Sequence, residues 1–410
     1  MKNNLENIVM VGLGYIGLPT AALMASKKFN VLGVDIDQKV VDTINEGKIH
    51  IVEPDLSGIV KDVVSKKTLR ASTQPELADV FMIAVPTPFK EDNKPDISYV
   101  EKATIAVIPF LREGNLFIIE STSPVGTTQK MKDIIFSERP ELIDKIFISY
   151  CPERVLPGKV IYELEHNDRV IGGINEKSSE ITRTFYRKIV SSNLYITNSQ
   201  TAEMCKLVEN SSRDVSIAFA NELSIICEKA GINVWELIKL ANKHPRVNIL
   251  NPGTGVGGHC IAVDPWFIVS DYPKEATIIR TAREINTYKT MWVIEKVKNE
   301  ILQFNQKEAN QPLVAFMGLA FKPNIDDLRE SPAIQVVKSI MGANLKAKYL
   351  IVEPNISDNK EAKFFNTDLT NYSEAYKKAD IIVYLVGHKE FVDIRKQNGK
   401  IELDFCGIKV

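Results

Sequence analysis

The strongest constraint on the fold is a glycine motif near the amino terminus, which lies between an apolar strand-like run and an alanine-rich helical stretch. Residues 12–17 read Gly-Leu-Gly-Tyr-Ile-Gly and follow the apolar run 8–11. In this context Gly12 permits a tight turn, Gly14 lets a pyrophosphate approach the backbone, and Gly17 allows helix and strand to pack closely. The amino end of the helix offers N–H groups and a positive dipole to phosphates. The motif therefore predicts a dinucleotide site.

An acidic residue follows the next apolar run. Asp35 comes directly after residues 31–34, eighteen positions beyond Gly17. A carboxylate there accepts hydrogen bonds from ribose hydroxyls and repels a 2′-phosphate, which favours NAD over NADP. The alternative is a glycine turn that binds nothing and an aspartate that caps a helix. Thr87 and Thr122 each follow a further strand-like run and are candidate cofactor contacts, or simple turn or cap residues.

The alternation of apolar runs with helical segments predicts an α/β fold with a parallel sheet covered on both faces. We place this first domain at residues 1–200. From residue 201 no strand signal appears, and apolar positions spaced by three and four predict long helices over 201–304. These helices suggest a dimer surface, with a plain core role as the alternative. A polar linker at 305–311 is predicted to lead into a second α/β unit, 312–410.

Composition excludes several classes of protein. The 51 basic and 52 acidic side chains leave a net charge of −1, so no global positive field attracts nucleic acid or an anionic membrane. No apolar run reaches the ~18–20 residues that cross a bilayer, and no signal peptide is evident, so we expect a cytoplasmic protein. The five scattered cysteines form no CxxC pair, which predicts neither a disulfide framework nor a metal site.

One cysteine stands in unusual surroundings. Residues 251–260 hold four glycines before Cys260, so backbone amides can approach a ligand and the thiol can stand open to it. A lone cysteine is otherwise a small buried hydrophobe. Beside NAD, a thiol allows oxidation past the aldehyde through a thiohemiacetal and a thioester, which consumes two NAD per substrate. Asp264 precedes Pro265 and suits a helix N-cap, which leaves a catalytic role open.

The first long helix carries polar groups that suit the same chemistry. Lys206 and Asn210 are one turn apart on one face, and Arg213 lies close to that face. A lysine ammonium can stabilise the oxyanion of a tetrahedral adduct or handle the proton that leaves the alcohol. The alternative is a solvated helix face, which spacing alone does not overturn.

Taken together, these motifs resemble the UDP-glucose/GDP-mannose dehydrogenase family over nearly the whole chain. The matching segments are GLGYIGLPTAA from Gly12, HIVEPDL from His50, AVPTPFK from Ala84, ESTSPVGTT from Glu120, CPERVLPG from Cys151, NDRVIGG from Asn167, TAEMCKLVENS from Thr201, HPRVNILNPGTGVGGHCIAVDPWF from His244 and GLAFKPNIDDLRESPA from Gly318. Three features depart from the family pattern: Thr254 stands where proline is common, residues 137–148 are short, and the final strand, 401–410, matches weakly.

The resemblance implies two Rossmann-like doubly wound domains joined by a helical region that pairs two subunits. It implies Cys260 as the nucleophile and Lys206, with Asn210 beside it, as the residue that handles the oxyanion or proton. Asp264 would order water or Lys206, and Glu153 would lie near the reacting carbon.

Binding residues are implied in the same way. Implied NAD contacts are Gly12, Gly14, Tyr15, Ile16, Gly17, Asp35, Thr87, Thr122 and Arg329. Implied substrate contacts are Arg154, Val155, Lys206, Asn210, Arg213, His244, Arg246, Gly253, Phe321 and Lys322. The Arg246 position reaches the neighbouring subunit's site in relatives, so the resemblance implies an active homodimer.

The implied reaction is NAD-dependent four-electron oxidation of the C6 alcohol of a UDP-N-acetylhexosamine, with UDP-N-acetyl-D-mannosamine as the expected sugar and surface polysaccharide as the destination of the uronate. Alternatives are the same chemistry on UDP-GlcNAc, UDP-GalNAc or UDP-glucose, a two-electron hydroxyacid dehydrogenase, and a nucleotide-sensing protein without turnover. No metal is implied.

Overall fold

The computed structural model describes residues 5–51, 53–90, 93–155, 158–258, 260–356, 368–394 and 397–409. The chain divides into two compact units, Met1–Glu209 with Trp266–Asp271, and Asn210–Pro265 with Tyr272–Val410. Across the described ranges, no helix has the length and apolar character needed to span a bilayer.

The first unit is built on an eight-stranded sheet. Its strands are β1 (Asn7–Val11), β2 (Asn30–Val34), β3 (Leu69–Ser72), β4 (Val80–Ile83), β5 (Leu116–Ile119), β6 (Phe147–Tyr150), β7 (Arg169–Gly173) and β8 (Leu194–Asn198). They are arranged in the order β3-β2-β1-β4-β5-β6-β7-β8, in which the first six are parallel and follow the Rossmann order. The pair β6–β7 is antiparallel, and β8 runs parallel to β7.

Helices connect these strands. They are α1 (Gly17–Ser26), α2 (Gln38–Asn45), α3 (Leu56–Ser65), α4 (Ser98–Val107), α5 (Thr127–Glu138), α6 (Val160–His166) and α7 (Glu176–Tyr186). Alternate residues of the central strands enter two separate cores: Ile8 and Met10 pack in one, whereas Val9 and Val11 pack in the other. Because both faces of the sheet are covered, its strands are continuous apolar runs, which made them visible in the sequence.

Four helices follow β8: α8 (Ser199–Ala230), α9 (Val234–Ala241), α10 (Asp264–Asp271) and α11 (Thr277–Lys307). The first of them, α8, ends at Ala230, and the next residue, Gly231, has a φ of +70°, which glycine tolerates. The predicted linker at 305–311 is partly wrong, because α11 continues to Lys307. Phe304 packs against the core of the second sheet and keeps the last turn helical.

The second unit contains a four-stranded parallel sheet. Its strands are β9 (Leu313–Met317), β10 (Lys348–Val352), β11 (Ile381–Tyr384) and β12 (Ile401–Asp404), in the order β10-β9-β11-β12, with helices α12 (Pro332–Gly342) and α13 (Tyr372–Lys378). The final strand is shorter than predicted. The Asp404 carboxylate accepts hydrogen bonds from the backbone N–H groups of Cys406, Gly407 and Lys409, which turns the chain, and Val410 lies outside the described residues.

The fold class predicted from the sequence is confirmed. Two doubly wound α/β sheets occur, and long helices lie between them in chain order.

Candidate functional site

The glycine turn after β1 has the shape that a pyrophosphate requires. Gly12 has a φ of +93°, and a Cβ at Gly12 would overlap the carbonyl of Ala84. A Cβ at Gly17 would overlap the carbonyl oxygen of Gly12. At Gly14, by contrast, a Cβ would meet nothing within 4 Å, so the backbone there is open to a ligand. Gly12 and Gly17 thus allow close packing, and Gly14 leaves space for the pyrophosphate, as the motif predicts. The turn therefore fits a dinucleotide.

Asp35 is positioned by the same turn. Its Oδ2 accepts a hydrogen bond from the backbone N–H of Leu13 at 3.0 Å, and its Oδ1 accepts one from that of Asp37 at 3.0 Å. The helix-cap alternative for Asp35 is wrong, because Asp37 is the N-cap of α2 and accepts from the N–H of Lys39. Each carboxylate oxygen of Asp35 keeps accepting capacity for a ribose hydroxyl.

The two threonines predicted as cofactor contacts are brought together. Thr87 follows β4, Thr122 follows β5, and the Thr87 hydroxyl donates to the Thr122 carbonyl oxygen at 2.7 Å. Both lie at the carboxyl ends of neighbouring parallel strands, where ligands of doubly wound sheets bind. Tyr15 is 40% exposed beside the glycine turn, and Ile16 is half-buried.

Lys206 is not on a solvated face. The residue is only 6% exposed, and its Nζ lies 3.1 Å from Oε1 of Glu153, which is 7% exposed. The other carboxylate oxygen of Glu153 accepts from the backbone N–H of Val155 at 2.9 Å. The alternative that Lys206 is solvated is therefore wrong, and the structure pairs two of the predicted catalytic residues.

Neighbouring groups fix the segment that carries Glu153. The guanidinium of Arg154 pairs with Glu209 of α8 at 2.7 Å and donates to the carbonyl oxygen of Asp168 at 3.0 Å. Arg154 is thus held by an acidic partner that sequence reasoning missed. Leu156 and Pro157, which continue this motif, lie outside the described residues.

A second missed residue is Glu203, one turn before Lys206 on α8. Its carboxylate accepts from the backbone N–H groups of Gly126 and Thr128, at 2.6 and 2.7 Å, and from the Thr128 hydroxyl at 2.6 Å. These donors lie at the amino end of α5. Burial raises the pKa of Glu203, while the three donors oppose the shift. The available signal was an acid three positions before Lys206, on the same helix face.

Below the carboxyl ends of β5 and β6 lies a buried polar cluster. The Tyr186 hydroxyl donates to Glu120 Oε1 at 2.7 Å, and the Arg169 guanidinium lies 3.4 Å from the same oxygen and 4.7 Å from the centre of the Tyr186 ring. Burial raises the pKa of the neighbouring Cys151 thiol to about 11. Cys151 is fully buried in the core of the first unit and serves as a packing residue.

Cys260 differs from the other cysteines, because it is exposed. Its carbonyl oxygen accepts from the backbone N–H of Asp264, the first residue of α10, at 2.8 Å. The Asp264 side chain is buried, and its Oδ2 accepts from the Asn210 amide at 2.5 Å. Asp264 thus joins the cysteine turn to α8 through Asn210. His259 lies outside the described residues.

A buried ion pair supports the same turn. Arg283 of α11 lies 2.7 Å from Asp214 of α8 and donates to the carbonyl oxygen of Ile261 at 3.2 Å. Burial raises the pKa of Asp214 to about 6, although the charge of Arg283 opposes the shift. Sequence reasoning missed this pair, whose members are separated by 69 positions.

The glycine loop that precedes Cys260 is held on both sides. Gly253 donates its backbone N–H to Asn221 Oδ1 at 2.9 Å, and Thr290 donates to the carbonyl oxygen of Thr254 at 2.9 Å. A Cβ at Gly255 would overlap the Thr290 hydroxyl. Thr254 is itself buried, so the departure from proline leaves the loop packed.

The remaining predicted substrate residues differ in exposure. Arg213, His244, Arg246 and Lys322 are exposed, and Phe321 is half-buried. Arg329 pairs with Asp327, with N–O distances of 2.6 to 3.0 Å, so an anionic ligand would compete with that carboxylate. Within the described ranges, no group of three or more His, Cys, Asp or Glu side chains could hold a metal ion.

Comparison with protein families yields three adjoining matches. Residues 6–190 match the NAD binding domain of the UDP-glucose/GDP-mannose dehydrogenase family, residues 200–288 match its central domain, and residues 315–406 match its UDP binding domain.

Individual relatives are similar over nearly their full length. A UDP-N-acetyl-D-mannosamine dehydrogenase of Campylobacter jejuni is 52% identical, over 98% of this chain and 100% of the relative. An NDP-N-acetyl-D-galactosaminuronic acid dehydrogenase of Ralstonia nicotianae is 50% identical, over 98% of this chain and 96% of the relative. The structure of a UDP-D-ManNAc dehydrogenase from Pyrococcus horikoshii superposes with a TM-score of 0.87 at 36% identity, covering 98% of this chain and 96% of that one.

Proposed function

The chain belongs to the UDP-glucose/GDP-mannose dehydrogenase family, and from this we propose that it oxidises the C6 alcohol of UDP-N-acetyl-D-mannosamine to the carboxylate with two molecules of NAD. The observation that carries the proposal is the exposed thiol of Cys260 at the end of a packed glycine loop. A two-electron alcohol dehydrogenase needs no nucleophile, whereas oxidation to an acid does.

NAD binding is assigned to the first sheet. The open backbone at Gly14 and the amino end of α1 would hold the pyrophosphate, and Asp35 would hold the adenosine ribose. The other contacts proposed for the cofactor are Tyr15, Ile16, Thr87, Thr122 and Arg329. When bound, NAD accepts a hydride in each of the two oxidations.

Cys260 carries the covalent part of the reaction. Its thiolate adds to the C6 carbonyl carbon of the aldehyde, and the resulting oxyanion takes up a proton to give a thiohemiacetal. Loss of the C6 hydrogen as hydride and of the hydroxyl proton to solvent converts that adduct to a thioester. Water then adds to the thioester carbon, the C–S bond breaks, and the carboxylate leaves while the thiol is restored.

Lys206 stabilises negative charge on the C6 oxygen. Its buried ammonium is held by Glu153, so it is oriented before the substrate arrives and needs no reorganisation during the reaction. Asn210 and Asp264 hold the turn of Cys260 through their hydrogen bond. Asp264 would also order the water that attacks the thioester, or Lys206. The UDP-sugar is bound by Arg154, Val155, Arg213, His244, Gly253, Phe321 and Lys322, and by Arg246 from the neighbouring subunit.

A homodimer is supported by large apolar side chains left exposed on the long helices. Phe219 and Ile226 of α8, and Tyr288 and Met291 of α11, are each about half exposed. Large apolar side chains on one helix face are expected to be covered when they form a contiguous patch, and a second copy of the chain would cover them. The proposal places the dimer in the cytoplasm, where its product enters surface polysaccharide synthesis.

A second candidate substrate is UDP-N-acetyl-D-galactosamine. The Ralstonia nicotianae relative, named for an N-acetylgalactosaminuronic acid, is almost as similar as the Campylobacter jejuni one. NADH absorbance with a panel of UDP-ManNAc, UDP-GlcNAc, UDP-GalNAc and UDP-glucose tests both candidates. The highest kcat/KM is expected for UDP-ManNAc. Highest turnover of another sugar would reassign the substrate, and no NADH with any of them would favour a nucleotide-sensing role.

A further inference from the structure

The second sheet repeats the turn that binds the dinucleotide in the first. Gly318 follows β9 with a φ of +93°, as Gly12 follows β1 with a φ of +93°. Gly318 donates its N–H to the carbonyl oxygen of Val352, the last residue of β10, at 2.9 Å, in the same way that Gly12 donates to Val34. The residue after β10 is an acid, Glu353, in the position that Asp35 has after β2.

Glu353 is not available to a ribose. Its Oε2 accepts from the backbone N–H groups of Leu319 and Ala320, at 2.7 and 2.9 Å, and lies 3.1 Å from Nε2 of His388. Both side chains of the Glu353–His388 pair are fully buried. Although burial opposes it, the hydrogen bonds from His388 and the backbone hold the pKa of Glu353 below its usual value. The carboxylate is therefore ionised and closed off by His388.

The partners of His388 define its protonation. Its Nδ1 lies 3.0 Å from the backbone nitrogen of Asn324 and 2.9 Å from the side-chain amide nitrogen of Asn355. A backbone N–H can only donate, so Nδ1 is the acceptor and carries no proton. Nε2 therefore carries the hydrogen that is donated to Glu353. His388 is a bridge between the carboxylate after β10 and the backbone of Asn324.

Asn324 lies at a tight turn in the loop 319–331. It has a φ of +61°, and its side-chain oxygen accepts from the N–H of Lys389 at 3.0 Å. The same loop carries Phe321, Lys322 and Arg329, which the proposed function assigns to ligand binding. His388 and Lys389 therefore hold the turn from neighbouring positions after β11.

The loop in turn packs against the cysteine loop. Gly258 donates its N–H to the carbonyl oxygen of Arg329 at 3.2 Å, and a Cβ at Gly257 would lie 2.9 Å from that of Phe321. These contacts hold the loop at Arg329 and Phe321 against the backbone before Cys260, so a displacement at Asn324 would act mainly on the ligand-binding side chains of the loop.

We propose that His388 is a positioning residue for the nucleotide part of the substrate, because it fixes the loop 319–331 through its Nδ1 bond to Asn324. This inference rests on the proposed function, which assigns Phe321 and Lys322 of the loop to the UDP-sugar. His388 touches no reacting atom, and its effect is expected on substrate affinity rather than on the chemical step.

Two substitutions at His388 each keep one of its hydrogen bonds, to Asn324 or to Glu353, and remove the other. In His388→Asn, the amide oxygen takes the place of Nδ1 and can still accept from Asn324, whereas the bond to Glu353 is lost. In His388→Gln, the amide nitrogen takes the place of Nε2 and can still donate to Glu353, whereas the acceptor for Asn324 is lost. Calorimetry of the full-length protein with UDP measures the Kd for UDP. NADH absorbance with UDP-ManNAc measures KM and kcat.

We expect His388→Gln to raise the Kd for UDP and the KM for the UDP-sugar about tenfold, with kcat within about twofold, since the N–H of Asn324 loses the acceptor that fixes the turn. His388→Asn should stay within about threefold of the wild type on all three measures. As a matched control, His166→Gln replaces an exposed histidine that stacks on Tyr162 and should change none of them. If His388 had a purely structural role, both variants would instead show a lower free energy of unfolding and a lower kcat, with an unchanged KM.

His388→Asn keeps the test decisive if His388→Gln does not fold, because a KM raised about tenfold in His388→Asn, which retains the acceptor for Asn324, would contradict the inference. Asn324→Gly tolerates the positive φ and keeps the backbone N–H that Nδ1 accepts, so we expect its KM to stay within about threefold of the wild type. Equal UDP affinity in His388→Gln and the wild type, equal weakening in both His388 variants, or a KM raised as much in Asn324→Gly as in His388→Gln would overturn the inference. A wild-type protein that neither binds UDP nor reduces NAD with UDP-sugars would overturn the proposed function instead.

Discussion

The ammonium of Lys206 lies 3.1 Å from a carboxylate oxygen of Glu153, and both side chains are buried. The pair joins α8 to the segment after β6 over 53 positions of sequence. Two opposite charges withdrawn from water require each other, because either one alone would carry the full cost of desolvation. The pair places one positive charge at a fixed point, which is what stabilisation of a developing oxyanion needs.

The first prediction concerns that charge. Lys206→Met should lower kcat by at least about 100-fold while KM for the UDP-sugar changes much less, because the charge acts mainly on the transition state. Steady-state kinetics followed by NADH absorbance is the measurement. Lys229→Met, which changes an exposed lysine of the same helix, is the control and should leave kcat unchanged. Wild-type kcat in the Lys206→Met variant would remove Lys206 from the mechanism.

The second prediction concerns cofactor choice. Asp35→Asn should raise the KM for NAD by about tenfold and narrow the preference for NAD over NADP, because an amide binds the ribose less well and no longer repels a 2′-phosphate. The ratio of kcat/KM for the two cofactors measures this effect. Asp42→Asn, at an exposed position of α2, should leave the ratio unchanged. An unaltered ratio in Asp35→Asn would place the ribose elsewhere.

The third prediction concerns a buried lysine. Lys289 of α11 is 2% exposed, donates to the Ser224 hydroxyl at 2.7 Å and lies 3.9 Å from the centre of the Trp292 ring. Burial lowers its pKa from 10.5 to about 7. Between these two pH values the unfolded chain binds a proton at Lys289 that the folded chain does not. The free energy of unfolding therefore decreases as the pH falls from 10.5, and this decrease levels off below pH 7.

Lys289→Met should therefore raise the free energy of unfolding by roughly 2–4 kcal/mol at pH 7 and by about 1 kcal/mol or less at pH 10. Denaturant unfolding at the two pH values measures the difference. The control is Lys296→Met, which changes a half-exposed lysine near the same Trp292 ring and should give a small, pH-independent change. An increase in the free energy of unfolding of Lys289→Met that is equal at both pH values would contradict the lowered pKa of Lys289.

The fourth prediction concerns assembly. Phe219 and Ile226 are seven positions apart on α8 and so share one face of the helix. Phe219→Glu should shift the protein from dimer to monomer in sedimentation velocity and abolish most activity, because Arg246 is proposed to act in the neighbouring subunit. Phe219→Leu keeps the face apolar and should remain dimeric. A fully active Phe219→Glu monomer would exclude a shared site.

Much of the fold could be predicted because its determinants are local. The strands β1 and β2 coincide within one residue with the apolar runs 8–11 and 31–34, and α8 begins at Ser199, two residues before the predicted helical region. The direction of β7 could not be predicted. An apolar run has the same pattern in either direction, so the antiparallel pairing of β6 with β7 depends on contacts that sequence periodicity does not encode.

The candidate site was predictable where a motif imposes backbone geometry, as at Gly12 and Gly17. It was not predictable where the evidence is a long-range contact. Spacing alone favoured a solvated Lys206, whose burial is decided by Glu153. The same holds for Arg283 and Asp214, which support the turn of Cys260 from two different helices.

The proposed reaction requires a covalent bond between the Cys260 thiol and the substrate during oxidation to the acid. The number of NADH molecules formed per UDP-ManNAc consumed, in the wild type and in Cys260→Ser, tests this requirement. We expect two NADH per sugar with the uronate as product for the wild type, and no steady turnover to the uronate for Cys260→Ser. Two NADH per sugar at an undiminished rate from Cys260→Ser would contradict it.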